Sequence, residues 1–417
     1  MYFCFDFRKP PMIAKVFPIL LLFIILGEVY TCHLLYKFTK KRTAVYAYLI
    51  LLITIIVSIV LYYNGADKTK GQTAESMHIM ALILLFLLPK ILISIPLLIE
   101  DLFRFSRWTS NKFIYKKIIQ NSRSSLLTRI VLIAAGLLSV SIIYGVIVGK
   151  YNFKTRTQTI VFQDLPQEFD GLRILQISDL HVGSWDNKDA IEKGIQMINA
   201  QEYDILLFTG DFVNTLATEA DPWIEVLQKI KTPKYGKYAV LGNHDYGEYV
   251  KWPSEAAKEA NFIDIKENIK KSGFQLLLNE NIPLTKNNDT IYLLGVENWG
   301  LNFKKAGDLA LTSTNVPEKA FKIVMTHDPS HWDAEIVGHK QKYQLTLSGH
   351  THGMQFGFNI PKVIEWSPAE YIYPEWGGLY NKGHQYIYVN RGFGFHAYSG
   401  RVGIWPEITV LELKKSK

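Results

Sequence analysis

The chain has 417 residues, 48% of them hydrophobic, a net charge of +8 and only two cysteines, Cys4 and Cys32. That length allows more than one domain, and the two N-terminal cysteines exclude a disulfide framework or a cysteine-based metal site in the remainder. Apolar runs concentrate in the first 150 residues with basic residues beside them, so membrane lipid is an expected partner and nucleic acid is not.

Four membrane-spanning helices are expected in residues 1–150, an all-α region. The first covers residues 16–36 and carries Glu28 and His33. Arg8 and Lys9 before it fit a signal peptide, but no small-residue cleavage site follows, which favours a retained span. Residues 43–66 contain no charge, residues 76–99 are interrupted by Pro89-Lys90 and Pro96, and residues 130–149 are again uncharged, with Gly136 and Gly145 for close helix packing. Glu28 and Lys90 lie inside spans, where an isolated charge is costly; they either pair or each reaches a headgroup.

Lys37, Lys40, Lys41 and Arg42 lie between spans one and two. Arg104, Arg107, Lys112, Lys116, Lys117, Arg123 and Arg129 lie between spans three and four. Eleven basic residues on this side stand against eight on the other: Arg8, Lys9, Lys15, Lys68, Lys70, Lys150, Lys154 and Arg156. The bias puts the two loops in the cytoplasm and everything after span four outside. Residues 104–129 mix these cations with Phe105, Trp108, Phe113, Ile114, Ile118 and Ile119, the composition of an amphipathic helix lying in the interface, or of a solvated connector.

Residues 151–170 read as a polar linker, with 159–162 as an edge strand. From residue 171 the pattern becomes strand, polar cluster, helix. Five short apolar runs, each a predicted buried strand, end in a polar block. Residues 174–178 lead to Asp179-Leu180-His181, and 205–208 to Gly210-Asp211-Phe212-Val213-Asn214. Residues 238–241 lead to Gly242-Asn243-His244-Asp245, 321–325 to His327-Asp328, and 345–347 to Gly349-His350-Thr351-His352-Gly353. Helices are predicted at 189–201, from Asp221-Pro222 onward, and at 263–271 before Gly273; further strands at 291–296, 386–390 and 408–413. This alternation predicts a mixed α/β domain over 171–417.

The polar blocks sit at strand ends, where open sheets place ligands. Any one histidine or glycine there could be a core residue or a turn. Yet five of the 11 histidines fall in these blocks, and Asp, His and Asn together suit borderline divalent metals such as Mn, Fe, Co or Zn. Seven candidate ligands exceed one tetrahedral site. They suit two metals ~3.5–4 Å apart that share a carboxylate, hold a hydroxide and clamp a phosphoryl oxygen.

In their order and spacing the blocks resemble the signature of the calcineurin-like metallophosphoesterase superfamily: D-x-H, G-D-x-x-N/D, G-N-H-D/E, H and G-H-x-H. The tail Val389-Asn390-Arg391-Gly392-Phe393-Gly394, with Arg401 and Trp405-Pro406-Glu407, is similar to the membrane-associated bacterial YkuE-type branch. The resemblance implies two packed mixed sheets flanked by helices, with the metals at one edge. It implies one metal on Asp179, His181, Asp211 and His352 and a second on Asp211, Asn243, His327 and His350, bridged by Asp211. His244 would assist the leaving oxygen and Asp245 would orient His244. Met354 departs from the second glycine that many relatives carry there.

The expected function is a membrane-anchored two-metal phosphoesterase. A metal-bridging hydroxide would attack a phosphate ester or pyrophosphate, expected to be lipid-linked. Aromatic residues at 354–380, with Tyr246, Tyr249 and Trp252, would form an apolar mouth, touch the bilayer or pack as loops. Two alternatives are a non-catalytic binding or scaffold module, which would show a lost ligand, and a sensor or transporter working through Glu28 and Lys90.

Overall fold

The computed structural model describes residues 12–67, 69–116, 122–301, 303–360 and 363–416, with only the backbone for 12–20. The chain divides into two compact units, Met1–Ala66 with Ile79–Tyr144, and Asp67–His78 with Gly145–Lys417.

Four helices are long and apolar enough to cross a membrane: α1 (Met12–Thr39), α2 (Arg42–Gly65), α3 (Ala74–Phe113) and α4 (Ser125–Ile147). They make this a multi-pass membrane protein. No residue of α2 is buried, and its Ile50, Ile53 and Leu61 are exposed, as lipid-facing side chains are. Tyr30 and Leu34 of α1, Ile93 and Leu97 of α3, and Val131 and Ala135 of α4 form a small core. At 1.5 Å per residue α3 is about 60 Å long, twice the hydrocarbon thickness. Of residues 104–129, expected to be an interfacial amphipathic helix or a solvated connector, 104–113 are the far end of α3 and 125–129 the first turn of α4. Lys117, Ile118 and Ile119, like Cys4, Arg8, Lys9 and Lys68, lie outside the described residues.

The two intramembrane charges meet. The Lys90 ammonium contacts one Glu28 carboxylate oxygen, and Tyr48 Oη donates to the other at 2.5 Å. Removing one partner of a buried ion pair costs about 3–5 kcal/mol. Lys90→Met should therefore lower the thermal midpoint of the purified protein, and Glu28→Gln/Lys90→Met should recover most of the loss. A double variant no more stable than Lys90→Met would exclude a pairing role.

The second unit holds the strands β1 (Lys154–Phe162), β2 (Arg173–Ile177), β3 (Ile205–Phe208), β4 (Lys237–Ala239), β5 (Gln275–Leu276), β6 (Glu280–Lys286) and β7 (Asp289–Gly295). They are followed by β8 (Phe321–Met325), β9 (Leu345–Ser348), β10 (Phe358–Ile360), β11 (Ile364–Trp366), β12 (Gly378–Lys382), β13 (Gln385–Val389) and β14 (Glu407–Lys415). One sheet has the order β1-β14-β2-β3-β4-β5, the other β12-β13-β9-β8-β7-β6, and β10-β11 is a separate hairpin. The span read as a polar linker thus contains a nine-residue edge strand, β1, in register with β14.

The two sheets pack face to face. Ile174, Ile205 and Leu207 of one meet Leu293, Ile323 and Leu345 of the other. Their neighbours Leu175, Ile177, Leu206 and Phe208 point the opposite way, because side chains alternate along a strand. There they pack on Ile191 and Ile195 of α5 (Lys188–Asn199), Val226 of α6 (Ile224–Gln228) and Ile265 and Ile269 of α7 (Glu255–Lys271). Strands covered on both faces read as unbroken apolar runs, which is why they were visible in the sequence. Two helices differ from expectation. α7 starts at Glu255 because Ser254 caps Ala257 N at 3.1 Å, and its first two turns are too exposed to show an apolar stripe. α6 begins at Ile224 with no side-chain cap, so Asp221-Pro222 lies in a turn before it.

Candidate metal centre

The strands that bear the polar blocks run parallel to one another within each sheet: β2, β3 and β4 in one, β8 and β9 in the other. Their C-terminal ends bring all seven expected ligands together. Asp179, His181, Asp211, Asn243, His327 and His352 are buried, and His350 nearly so.

Five of the seven hold a left-handed backbone: Asp179 (φ 52°), His181 (45°), Asp211 (59°), His350 (71°) and His352 (49°). Each such non-glycine residue costs ~1–3 kcal/mol and persists only where its surroundings over-determine it. Asp245 supplies much of that restraint. Its carboxylate accepts from the amides of Asp211 (3.1 Å), Phe212 (2.8 Å), Val213 (3.2 Å) and Gly242 (2.9 Å). Glu219 clamps the next turn through the amides of Asn214 (2.6 Å), Thr215 (3.1 Å) and Leu216 (2.9 Å). Burial pushes both carboxyls up to about 7, and for Asp245 the charge of Asp211 adds to it. Two glycines permit the close approach of the loops. A Cβ on Gly242 would stand 2.1 Å from Asp211 Oδ1, and one on Gly349 would stand 1.9 Å from Ser178 Oγ.

The donor atoms form one continuous run. Asp179 Oδ1 lies 3.2 Å from His352 Nε2, which lies 3.1 Å from His181 Nε2. His181 Nε2 is 3.4 Å from Asp211 Oδ2, which is 3.1 Å from His327 Nε2, and this is 3.2 Å from His350 Nδ1. Ligands about 2.1 Å from one cation stand roughly 3.0–3.4 Å apart, so these spacings are those of coordination edges. Asp179, His181 and His352 make one metal-competent cluster and Asp211, His327 and His350 another. Asn243 Oδ1 is buried without a hydrogen-bond partner while its Nδ2 donates to Tyr249 Oη at 2.6 Å. An orphaned amide oxygen beside such a cluster fits a ligand role.

The charge balance agrees. Burial opposes protonation of His327, but Asp211 prevails and pushes it up to about 10. Burial alone would also raise Asp211, yet His327 and His244 hold it well below the usual carboxylate range. The carboxylates thus draw positive charge into a closed site, as ligands of a cation do.

The outward ring nitrogens are also held, which fixes ring orientation. His181 Nδ1 meets Asn214 Oδ1 (3.1 Å), His327 Nδ1 meets Thr209 O (2.8 Å) and His350 Nε2 meets Tyr373 Oη (2.8 Å). His352 Nδ1 lies 3.1 Å from Arg401 Nη2, a buried guanidinium that also donates to Gly392 O and Gly394 O.

His244 stands beside the donors but turns its Nδ1 to Asn214 O at 2.7 Å. Asp245 was expected to orient His244; its carboxylate accepts from four loop amides, and the His244 ring contacts the Asn214 carbonyl. Burial pulls His244 down to about 4, with Asp211 opposing. Sequence reasoning missed His396, whose ring stacks on His181 (4.7 Å, 18°) and meets His244 edge-on (4.3 Å, 67°). No spacing signal marks it, because it lies on an irregular loop. Asn214 was visible as the last position of its block, though without a role.

This fold and donor set define a calcineurin-like phosphoesterase. The family described as "Calcineurin-like phosphoesterase" matches residues 172–354, and "Probable Calcineurin-like phosphoesterase, transmembrane domain" matches residues 12–150. The chain belongs to the calcineurin-like metallophosphoesterase family, as a metal-dependent hydrolase with membrane-spanning helices. It is 30% identical over 288 residues to the metallophosphoesterase YkuE of Bacillus subtilis strain 168, covering 68% of this chain and 94% of that protein. It is 30% identical over 250 residues to YkoQ of the same organism, covering 57% and 82%. It is 28% identical over 284 residues to the UDP-2,3-diacylglucosamine pyrophosphatase LpxG of Chlamydia trachomatis, covering 55% and 81%.

Two substitutions separate ligand from non-ligand. Asn243→Ala should lower the metal content of the purified protein. His244→Ala should leave metal content unchanged and reduce turnover by ~10²–10⁴-fold, less for a substrate with a very good leaving group. Metal analysis beside kinetics on the same preparations checks both; metal loss in His244→Ala would make it a ligand.

Proposed function

We propose that this protein is a membrane-anchored phosphoesterase that uses two divalent cations to hydrolyse a lipid-linked phosphate ester or pyrophosphate. The observation that carries the reading is the unbroken run of donors with Asp211 Oδ2 inside it and the unpartnered Asn243 Oδ1 alongside. Asp179, His181, Asp211 and His352 would hold one cation and Asp211, Asn243, His327 and His350 the other. Asp211 suits the bridge: His244 N donates to its Oδ1 at 2.9 Å, leaving Oδ2 between the two clusters. Bound there, the cations supply Lewis acidity that acidifies the attacking water and neutralises charge building on the phosphoryl oxygens. The mixed imidazole, amide and carboxylate set fits Mn, Fe, Co or Zn. His244 commits Nδ1 to Asn214 O, so its Nε2 is the atom available to exchange a proton with the leaving oxygen.

A lipid-linked substrate is favoured by the apolar side chains near the site. Leu301, Tyr371 and Ile372 are exposed, within two residues of Phe303 or Tyr373, whose rings touch His350. Phe358, Ile360 and Ile364 of the β10-β11 hairpin, six residues beyond His352, are exposed too. LpxG is by its name a pyrophosphatase of a diacylated, nucleotide-linked sugar. The basic loops argue for a catalytic unit outside the cytoplasm, facing outer-leaflet lipids and exported phosphate esters.

Asp211→Asn tests the centre, because an amide lacks the charge to bridge two cations. Loss of both metal and activity is expected against diesters, monoesters and lipid phosphates with Mn-loaded protein. Two metals per chain with normal turnover would overturn the assignment. Ser416→Cys, in a chain with Cys4 and Cys32 replaced, tests the sidedness. An impermeant thiol reagent should label it on intact cells; labelling only after lysis would put the head in the cytoplasm and make nucleotide-linked glycolipids accessible substrates.

A further inference from the structure

The connection between α2 and α3 belongs by its contacts to the catalytic unit. Gly71 (φ 64°) packs so closely that an added Cβ would stand 3.0 Å from Val250 Cγ1 and 3.1 Å from Thr215 Oγ1. Met77 is fully buried in the core of that unit, and its carbonyl accepts from Ser399 N at 3.2 Å. Between them Gln72 makes two contacts with site loops. Its backbone carbonyl accepts from Asn214 Nδ2 at 3.4 Å, and its side-chain Oε1 accepts from Ala397 N at 3.1 Å.

Both partners adjoin reacting groups. Asn214 presents Oδ1 to His181 Nδ1 and its carbonyl to His244 Nδ1. An amide has a donor and an acceptor end. With Nδ2 engaged by Gln72 O, the acceptor end faces His181; flipped, the amide would set a donor against the ring's N–H. Ala397, itself left-handed at φ 65°, follows His396, whose ring lies against His181 and His244.

We infer that Gln72 is a positioning residue of the phosphoesterase centre, so that the connection between two membrane helices completes the catalytic site. Its side chain acts through Ala397 on the ring of His396, while its main-chain carbonyl, which the variants below retain, holds Asn214. This rests on the phosphoesterase reading for its kinetic consequence but not for its structural one.

The test uses the full-length protein in lipid nanodiscs, as wild type, Gln72→Ala and Gln72→Glu. Loss of a group that orients a ligand typically costs 10–100-fold. Gln72→Ala should lower kcat on a p-nitrophenyl phosphodiester at least tenfold, with KM within twofold and the metal content retained. Gln72→Glu, which keeps an acceptor oxygen, should restore most of it. Hydrogen exchange gives a readout independent of turnover: the peptide covering residues 395–400 should exchange at least tenfold faster in Gln72→Ala and as in wild type in Gln72→Glu. Unchanged exchange in that peptide would overturn the inference. So would full kcat in Gln72→Ala, or faster exchange throughout the protein, which marks a general loss of stability. A wild-type protein that hydrolyses no phosphate ester would instead refute the phosphoesterase reading, and the exchange comparison would still decide whether Gln72 holds the loop.

Discussion

The centre depends on how the two oxygens of Asp211 are divided. Oδ1 is taken by the backbone amide of His244, and Oδ2 is left between His181 and His327. That division requires β3 and β4 to deliver their loops within hydrogen-bonding distance, which parallel pairing in register provides. It also requires Gly242, since any side chain there would collide with the Asp211 carboxylate. A carboxylate with one oxygen anchored has its other oxygen aimed before any ligand arrives, and so loses little entropy on binding one. The same economy holds at Asp179, where both oxygens accept from His350 N at 3.0 Å. One ligand's backbone thereby orients another's side chain.

Left-handed geometry at five ligands would be unstable in isolation. Five residues at ~1–3 kcal/mol each approach the whole stability of a typical domain. The two buried carboxylates of Asp245 and Glu219 answer this by gathering seven loop amides between them. Burying each carboxylate is itself costly, and burial raises both to about 7, the Asp211 charge adding to the rise at Asp245. The amides recover part of it, because each hydrogen bond to a charged acceptor is stronger than one between neutral groups. Asp245, which sits in a metal-binding block, thus works as a scaffold for the Asp211 loop.

How far all this could be read from sequence follows from the physics of each part. The strands were legible because both faces of each sheet are covered, leaving unbroken apolar runs with a polar residue at the end. The candidate metal-binding residues were legible because metal chemistry restricts a position to a few residue types. The residues that orient the ligands were not. Asn214 acts through a side-chain amide and a carbonyl, Thr209 through its carbonyl, and Tyr373 through a hydroxyl on an irregular loop. Many residue types could supply such contacts, so no pattern betrays them. The contacts of Asp245 were hidden for the same reason: a carboxylate next to a histidine in sequence does not reveal that its neighbours in space are amides. α7 was read short for a different reason, because helical periodicity is visible only where one face is buried.

The membrane helices reach this centre through very short stretches of chain. α3 begins at Ala74, two residues after Gln72, and Gln72 touches the asparagine that faces His181. α4 ends at Ile147, and just inside that end the Gly145 carbonyl accepts from Arg401 N at 3.1 Å, while the Arg401 guanidinium lies at His352 Nδ1. Arg401 is buried and its guanidinium also donates to the carbonyls of Gly392, Gly394 and Ile404, so it bridges the Gly145 carbonyl and the His352 ring. From Gln72 to the His181 ring and from Gly145 to the His352 ring a single residue intervenes, Asn214 in the first case and Arg401 in the second. Within the catalytic unit, the segment before Ala74 is thus tied to the His181 ring through Asn214, and the segment at Gly145 to the His352 ring through Arg401.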